Sequence, residues 1–121
     1  MNVLLVQSDP QLASLWAGHL AEEGVSAAVA RGQREAVRLL QTQGFAAVVL
    51  DLDLEEGCAL AVADLIAYRW PSLPILFVTG RAMFADGSIF AMSANARAYL
   101  QRDVAPSDLT TLVMYFGGYW A

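Results

Sequence analysis

The chain has 121 residues, 57% of them hydrophobic, and a net charge of −5 from 12 acidic and 7 basic residues. This length fits one domain with its own core, expected over residues 1–121 with no output domain. No run approaches the ~18 apolar residues of a membrane helix, and an acidic balance without a basic cluster argues against nucleic acid as a direct partner.

In chain order, the short apolar run Val3 to Val6 predicts a first strand. Ser8 and Asp9 then offer an N-cap and Pro10 a first helical turn. Leu12, Leu15, Trp16, His19 and Leu20 recur at helical spacing until Gly24. His19, on that apolar stripe, reads as a part-buried helix residue, with no second group spaced to join it. Val25 to Ala30 predicts a weaker second strand. Gln33 to Gln43 predicts a helix with Ala36, Val37, Leu39 and Leu40 inward and Arg34, Glu35 and Arg38 outward. Cys58 to Tyr68 predicts a third helix, with Pro71 and Pro74 bounding its exit. Ile75 to Val78 predicts a fourth strand, residues 83–95 a looser helix broken near Asp86-Gly87, Ala98 to Gln101 a fifth strand, and Pro106 to Phe116 the last helix. The lone Cys58 cannot close an internal disulfide and reads as packing filler. With no secretory pattern in MNVLLVQSDP, a reducing cytoplasm is expected.

The stretch FAAVVLDLDLEEG organises the rest. Six apolar residues, Phe45 to Leu50, fit a strand buried on both faces. Asp51 follows at its C-terminal end, the edge where open α/β sheets bind ligands. Five alternations of strand and helix predict an α/β fold with a parallel sheet and helices on both faces. Gln7, Ser8 and Asp9, then Asp51 and Asp53, then Thr79, then Arg102 thereby fall at four strand ends along one edge.

These residues, in this order, resemble the receiver domain of bacterial two-component response regulators, over essentially the whole chain. The resemblance implies a doubly wound, five-stranded parallel sheet in the order 2-1-3-4-5, the flavodoxin-like or CheY-like fold. It implies that Asp51 in VVLDLDL accepts a phosphoryl group from a histidine kinase or phosphotransfer protein, that Thr79 in ILFVTG contacts that group, and that Tyr99 in AYLQR is the aromatic switch. Carboxylate chemistry suits the role, because aspartate forms an acyl phosphate and the transfer mainly needs positioning and charge neutralisation. In the family Mg²⁺ and a lysine supply that neutralisation.

Departures from the family pattern bear on this site. Gln7 and Ser8 stand where an acidic pair is usual, and neutral oxygens hold a hard cation less well. Asp9, Asp51 and Asp53, with Ser8, leave a weakened Mg²⁺ site. Arg102 stands for the lysine, keeping the charge in a bulkier, two-pronged form. Asp103 replaces the following proline, so a trans bond is expected, since cis without proline costs about 3 kcal/mol. Asp53 reads either as a further carboxylate of the pocket or, with Glu55 and Glu56, as part of a solvated acidic loop.

Three functions remain open: a working receiver phosphorylated on Asp51, a pseudo-receiver that binds proteins without phosphate, or an enzyme. LDLDLEEG also looks like the DxD motif of haloacid-dehalogenase-type phosphatases, but the chain lacks that family's lysine. A signalling role would run through protein contacts, with a downstream protein or a second copy. The expected face joins the two last predicted helices and the fifth strand, where Met83, Phe84, Phe90, Met92, Tyr99, Met114, Tyr115, Phe116, Tyr119 and Trp120 collect. No membrane partner is expected.

Overall fold

The computed structural model describes residues 1–80 and 93–119. Among these described residues nine elements follow one another: β1 (Asn2–Val6), α1 (Pro10–Glu22), β2 (Ser26–Ala30), α2 (Gln33–Thr42), β3 (Ala47–Asp51), α3 (Ala59–Arg69), β4 (Ile75–Thr79), β5 (Ala96–Gln101) and α4 (Pro106–Phe116). The strands form one parallel sheet in the order β2-β1-β3-β4-β5. The fold expected from the alternation and the family resemblance is the fold present.

Strand chemistry explains the order. β3 and β4 are buried at every position, and β1 at all but its first residue. Continuous apolar runs of this kind suit strands covered on both faces. β2 and β5 are only partly buried and lie at the edges, where alanine, serine and arginine are tolerated. Side-chain alternation then divides the core in two. Leu4, Val6, Val48, Leu50, Ile75 and Phe77 pack against α2 and α3. Val3, Leu5, Val49, Leu76 and Val78 pack against α1 and α4.

Trp16 and Leu20 of α1 and Leu109 and Val113 of α4 fill the second layer. At ~25 cal/mol per Å² of apolar area removed from water, burying such side chains is the main source of stability. Asn95 is a polar staple below the sheet. Its side-chain Nδ2 donates to the carbonyls of Trp70 and Leu73 at 3.0 and 2.7 Å, fixing the exit of α3 against the entry to β5.

Several expectations shift. β3 begins at Ala47 rather than Phe45 and takes in Asp51, because its pairing with β1 starts at Ala47 opposite Val3 and its pairing with β4 runs on to Asp51 opposite Val78. Leu15 is exposed, so the inward stripe of α1 is Ala13, Trp16 and Leu20. Cys58 is exposed at the N-cap of α3 rather than filling the core. Residues 93–95 form a turn into β5, not the end of a helix. The remainder of that expected helix, with Met83, Phe84, Phe90 and Met92, lies outside the described residues, as does Trp120. Met114 belongs to the core, while Tyr115 is 65% exposed. No helix among the described residues is long and apolar enough to cross a membrane.

Candidate functional site

The C-terminal ends of β1, β3 and β4 and the residue after β5 bring Gln7, Asp51, Thr79 and Arg102 together. Asp51 is fully buried and its carboxylate is saturated. Oδ1 accepts from the Asp53 backbone N–H at 2.8 Å and from Arg102 Nη2 at 2.9 Å. Oδ2 accepts from Gln7 Nε2 at 2.6 Å and from Arg102 Nε at 3.0 Å. An ionised carboxylate offers about four lone-pair sites, so these contacts use them all.

Arg102 is the centre of the arrangement. Its planar fork meets Asp51 in a bidentate pair, and the same Nη2 reaches Asp53 Oδ2 at 2.9 Å. Asp53 Oδ2 also accepts from Thr79 Oγ1 at 3.1 Å. Two carboxylates and a buried hydroxyl are thereby tied to one guanidinium. The backbone fixes where that guanidinium starts, because Arg102 N–H donates to the Thr79 carbonyl at 2.8 Å. Gly80 gives it room: a Cβ there would stand 2.8 Å from Arg102 Nη1. The hydrogen bonds to Asp51 raise the Arg102 pKa above its ordinary value; burial opposes them, and the charges of Asp51 and Asp53 add to the rise. Charge-assisted, two-pronged pairs of this type are stronger and more directional than a lysine contact.

The residues after β1 serve other purposes than the sequence suggested. Gln7 is buried and acts as a donor to Asp51, while its Oε1 accepts from Asp9 N–H at 2.9 Å. Asp9 caps α1, its Oδ1 accepting from the N–H groups of Gln11 and Leu12. Ser8 Oγ donates to the Arg31 carbonyl at 2.7 Å and accepts from Glu55 N–H at 2.9 Å, tying three loops together. Glu56 is exposed, and its Oε1 accepts from Arg34 N–H at the start of α2. Tyr99 is half-buried on the α2 and α3 side of the sheet, opposite Phe77 in the register. The described peptide bonds are all trans, Arg102–Asp103 included. Sequence reasoning missed the donor role of Gln7; an amide aligned with an aspartate position was its only signal.

A divalent cation of the family type does not fit this donor set. The lone pairs of Asp51 are taken, an amide N–H points where a ligand oxygen would be needed, and Arg102 already carries the compensating charge. Ser8 is engaged with the backbone, as is one oxygen of Asp9, and among the described residues no three His, Cys, Asp or Glu side chains converge.

Comparison with known proteins follows the geometry. The response regulator receiver domain, as a family, matches residues 3–114. An NtrX-like response regulator of Rickettsia conorii is 26% identical over 115 residues, covering 93% of this chain and 24% of that protein. The chain thus spans about a quarter of the length of the first curated relatives it matches. A CheY-like receiver domain protein from Methanospirillum hungatei superposes with a TM-score of 0.87 at 22% identity, over 98% of this chain and 94% of the other. The response regulator TrrA of Thermotoga maritima, in a complex with Mg²⁺ and BeF, gives 0.82 at 20% identity over 95% and 97%.

Proposed function

This chain belongs to the response regulator receiver domain family of two-component systems, and from that premise we propose that it signals through protein contacts with its acceptor pocket closed, needing no phosphoryl group on Asp51. One observation carries this reading: each oxygen of Asp51 already accepts two hydrogen bonds, three of the four donors being side-chain N–H groups. A nucleophile needs a free lone pair aligned with the entering phosphorus. Here attack would require Gln7 or Arg102 first to withdraw from the carboxylate.

The closed pocket also holds an ordered arrangement without any ligand. Thr79 is drawn to Asp53, and Asp53 to Arg102, by intrachain bonds. The guanidinium supplies the positive charge that a cation and lysine supply elsewhere in the family. Receiver domains are signalling modules rather than classical enzymes, and this reading gives the domain no turnover of its own. Its working surface is the one around β5 and α4, where Tyr115 and Tyr119 are exposed, with Tyr99 half-buried on the other face of β5. The partner there is a downstream protein or a second copy, in the cytoplasm.

One feature favours a second reading, the working receiver. Arg102 aims two donors at Asp51, and a fixed positive charge in that place stabilises a transferring phosphoryl group. Intact-mass measurement after incubation with a small acyl phosphate, with and without Mg²⁺, separates the two. Under the closed-pocket reading wild type stays unmodified. A single added phosphoryl group that disappears in Asp51→Asn establishes the working receiver instead.

A further inference from the structure

A second feature lies beside the Asp51 pocket and is independent of whether that pocket is closed. Between the start of α1 and the exposed flank of α2 runs an open cleft of about 650 Å³, lined among others by Ser8, Arg31, Arg34, Arg38, Glu55 and Glu56. Three of the seven basic residues of an acidic chain stand here. Arg34 and Arg38 are one helical turn apart, with Arg31 just before the helix on the same flank.

The cleft is built, and two of its three glutamates are engaged with backbone N–H groups. Glu56 Oε1 accepts from Arg34 N–H and its carbonyl accepts from Gln33 N–H. Glu35 Oε1 accepts from Arg31 N–H at 3.0 Å. Ser8 pins the Arg31 carbonyl to the Glu55 N–H. The start of α2 is therefore already capped, and its helix dipole is not the attraction. The guanidinium groups, by contrast, are spare. The described ion pairs are those of Arg102, and Arg31, Arg34 and Arg38 are all exposed with no side-chain partner among the described residues.

We propose that this cleft docks an acidic segment of a partner protein, whose carboxylates meet Arg31, Arg34 and Arg38 in turn. The spacing favours a peptide over a compact anion. At a rise of ~1.5 Å per residue Arg34 and Arg38 stand about 6 Å apart along the helix, and Arg31 lies beyond the extended Gly32 that precedes it, so the three are strung out rather than converging on one point. Alternate side chains of an extended peptide stand ~7 Å apart, close to the ~6 Å between Arg34 and Arg38. Glu35 and Glu56 each already give one oxygen to a backbone N–H, which blunts their repulsion of an incoming carboxylate, and their remaining oxygens can accept from a peptide backbone. The net charge of −5 works against nucleic acid. Arginine suits the task, because its fork pairs with carboxylates in two-pronged fashion.

The test uses the whole chain and a fluorescent peptide of alternating glutamate and alanine, followed by anisotropy at low salt. Binding should saturate, weaken as salt is raised, and fall about tenfold in Arg34→Ala/Arg38→Ala, the loss of a little over one unit of kT, about 1.2, per guanidinium contact being typical of partly screened pairs. Arg97→Ala, which removes an exposed arginine of β5, should leave it unchanged. Melting curves of both variants check folding, and the cap of α2 uses only the Arg34 backbone, so the double variant keeps it. Absence of binding, equal binding by the double variant, or tighter binding of a deoxythymidine oligonucleotide or of pyrophosphate overturns the proposal. None of these results bears on the mass measurement for Asp51.

Discussion

Arg102→Ala is the most informative single change. It removes the bidentate pair to Asp51 and the bond to Asp53, and leaves Asp51 with two neutral donors, Gln7 and the Asp53 N–H. Stripping one partner from a fully buried ion pair costs about 3–5 kcal/mol. That figure needs a discount, because the Arg102 side chain is 35% exposed while that of Asp51 is 1% exposed, so water can enter the space the guanidinium leaves. The Asp53 contact, with that carboxylate 28% exposed, counts as a surface pair of at most about 1 kcal/mol. The sum is about 2 kcal/mol, or a fall in Tm of roughly 6–10 °C for a domain of this size. A cycle with Asp51→Asn, read by thermal and urea denaturation, should return a coupling of about 1–2 kcal/mol, since neutralising Asp51 removes the charge that Arg102 compensates. The sign discriminates. Where acidic side chains crowd a pocket without a partner, neutralising one relieves repulsion. A melt of Arg102→Ala equal to wild type, or a coupling near zero, refutes the clamp.

Other outcomes follow from the same contacts. Gln7→Asp places a second carboxylate against Asp51 in place of a donor, so Tm should fall, and Mg²⁺ at matched ionic strength should recover part of the loss, while wild type stays unmoved. The Arg102 pKa is raised, so its contribution is present below the unfolded value and would be lost only as pH rises through the folded one, beyond the working range; Arg102→Lys, with an ordinary amine near ~10.4, should instead lose stability in melts taken toward that pH. Gly57 has φ +82°, and a Cβ there would run into the Gln33 side chain, so Gly57→Ala should cost about 1–3 kcal/mol by chemical denaturation. Tyr115→Ala should weaken any self-association or partner capture seen by sedimentation with little change in Tm, because the ring is 65% exposed and rests edge-on against Phe116 at 5.0 Å; a large Tm drop would place it in the core.

Much of the fold was legible because the sheet writes itself plainly. Strands covered on both faces must be apolar throughout, and VLLV, AVVL and ILFV are. Helix faces were legible to within a residue or two, and Leu15 misled because an exposed leucine looks the same in sequence as a buried one. The site was legible as a set of strand ends, since parallel topology forces Asp51, Thr79 and Arg102 onto one edge. Its chemistry was less so. Nothing in a sequence says whether Gln7 offers its oxygen or its amide N–H, and here the neighbouring carboxylate draws the N–H. Asp9 and Ser8 were read as metal ligands because they are oxygen-bearing residues near the right strand; orphan N–H groups at the start of α1 and loop carbonyls compete for them. Arg31, Arg34 and Arg38 went unread as a cluster because their spacing matters only once Ser8, Glu55 and Glu56 wall the cleft they line.

The closed pocket is tested most directly by nuclear magnetic resonance of the Arg102 Nε–H and the Asp53 backbone N–H, the two donors that report on opposite oxygens of Asp51. Beryllium fluoride, a phosphoryl mimic, is titrated with Mg²⁺ into wild type and into Arg102→Ala. The account predicts no saturable change in either signal of wild type, because no lone pair of Asp51 is free to bind the mimic. Saturable shifts of both signals in wild type at ordinary concentrations would contradict it, and would make Arg102 a partner of the phosphoryl group rather than its substitute.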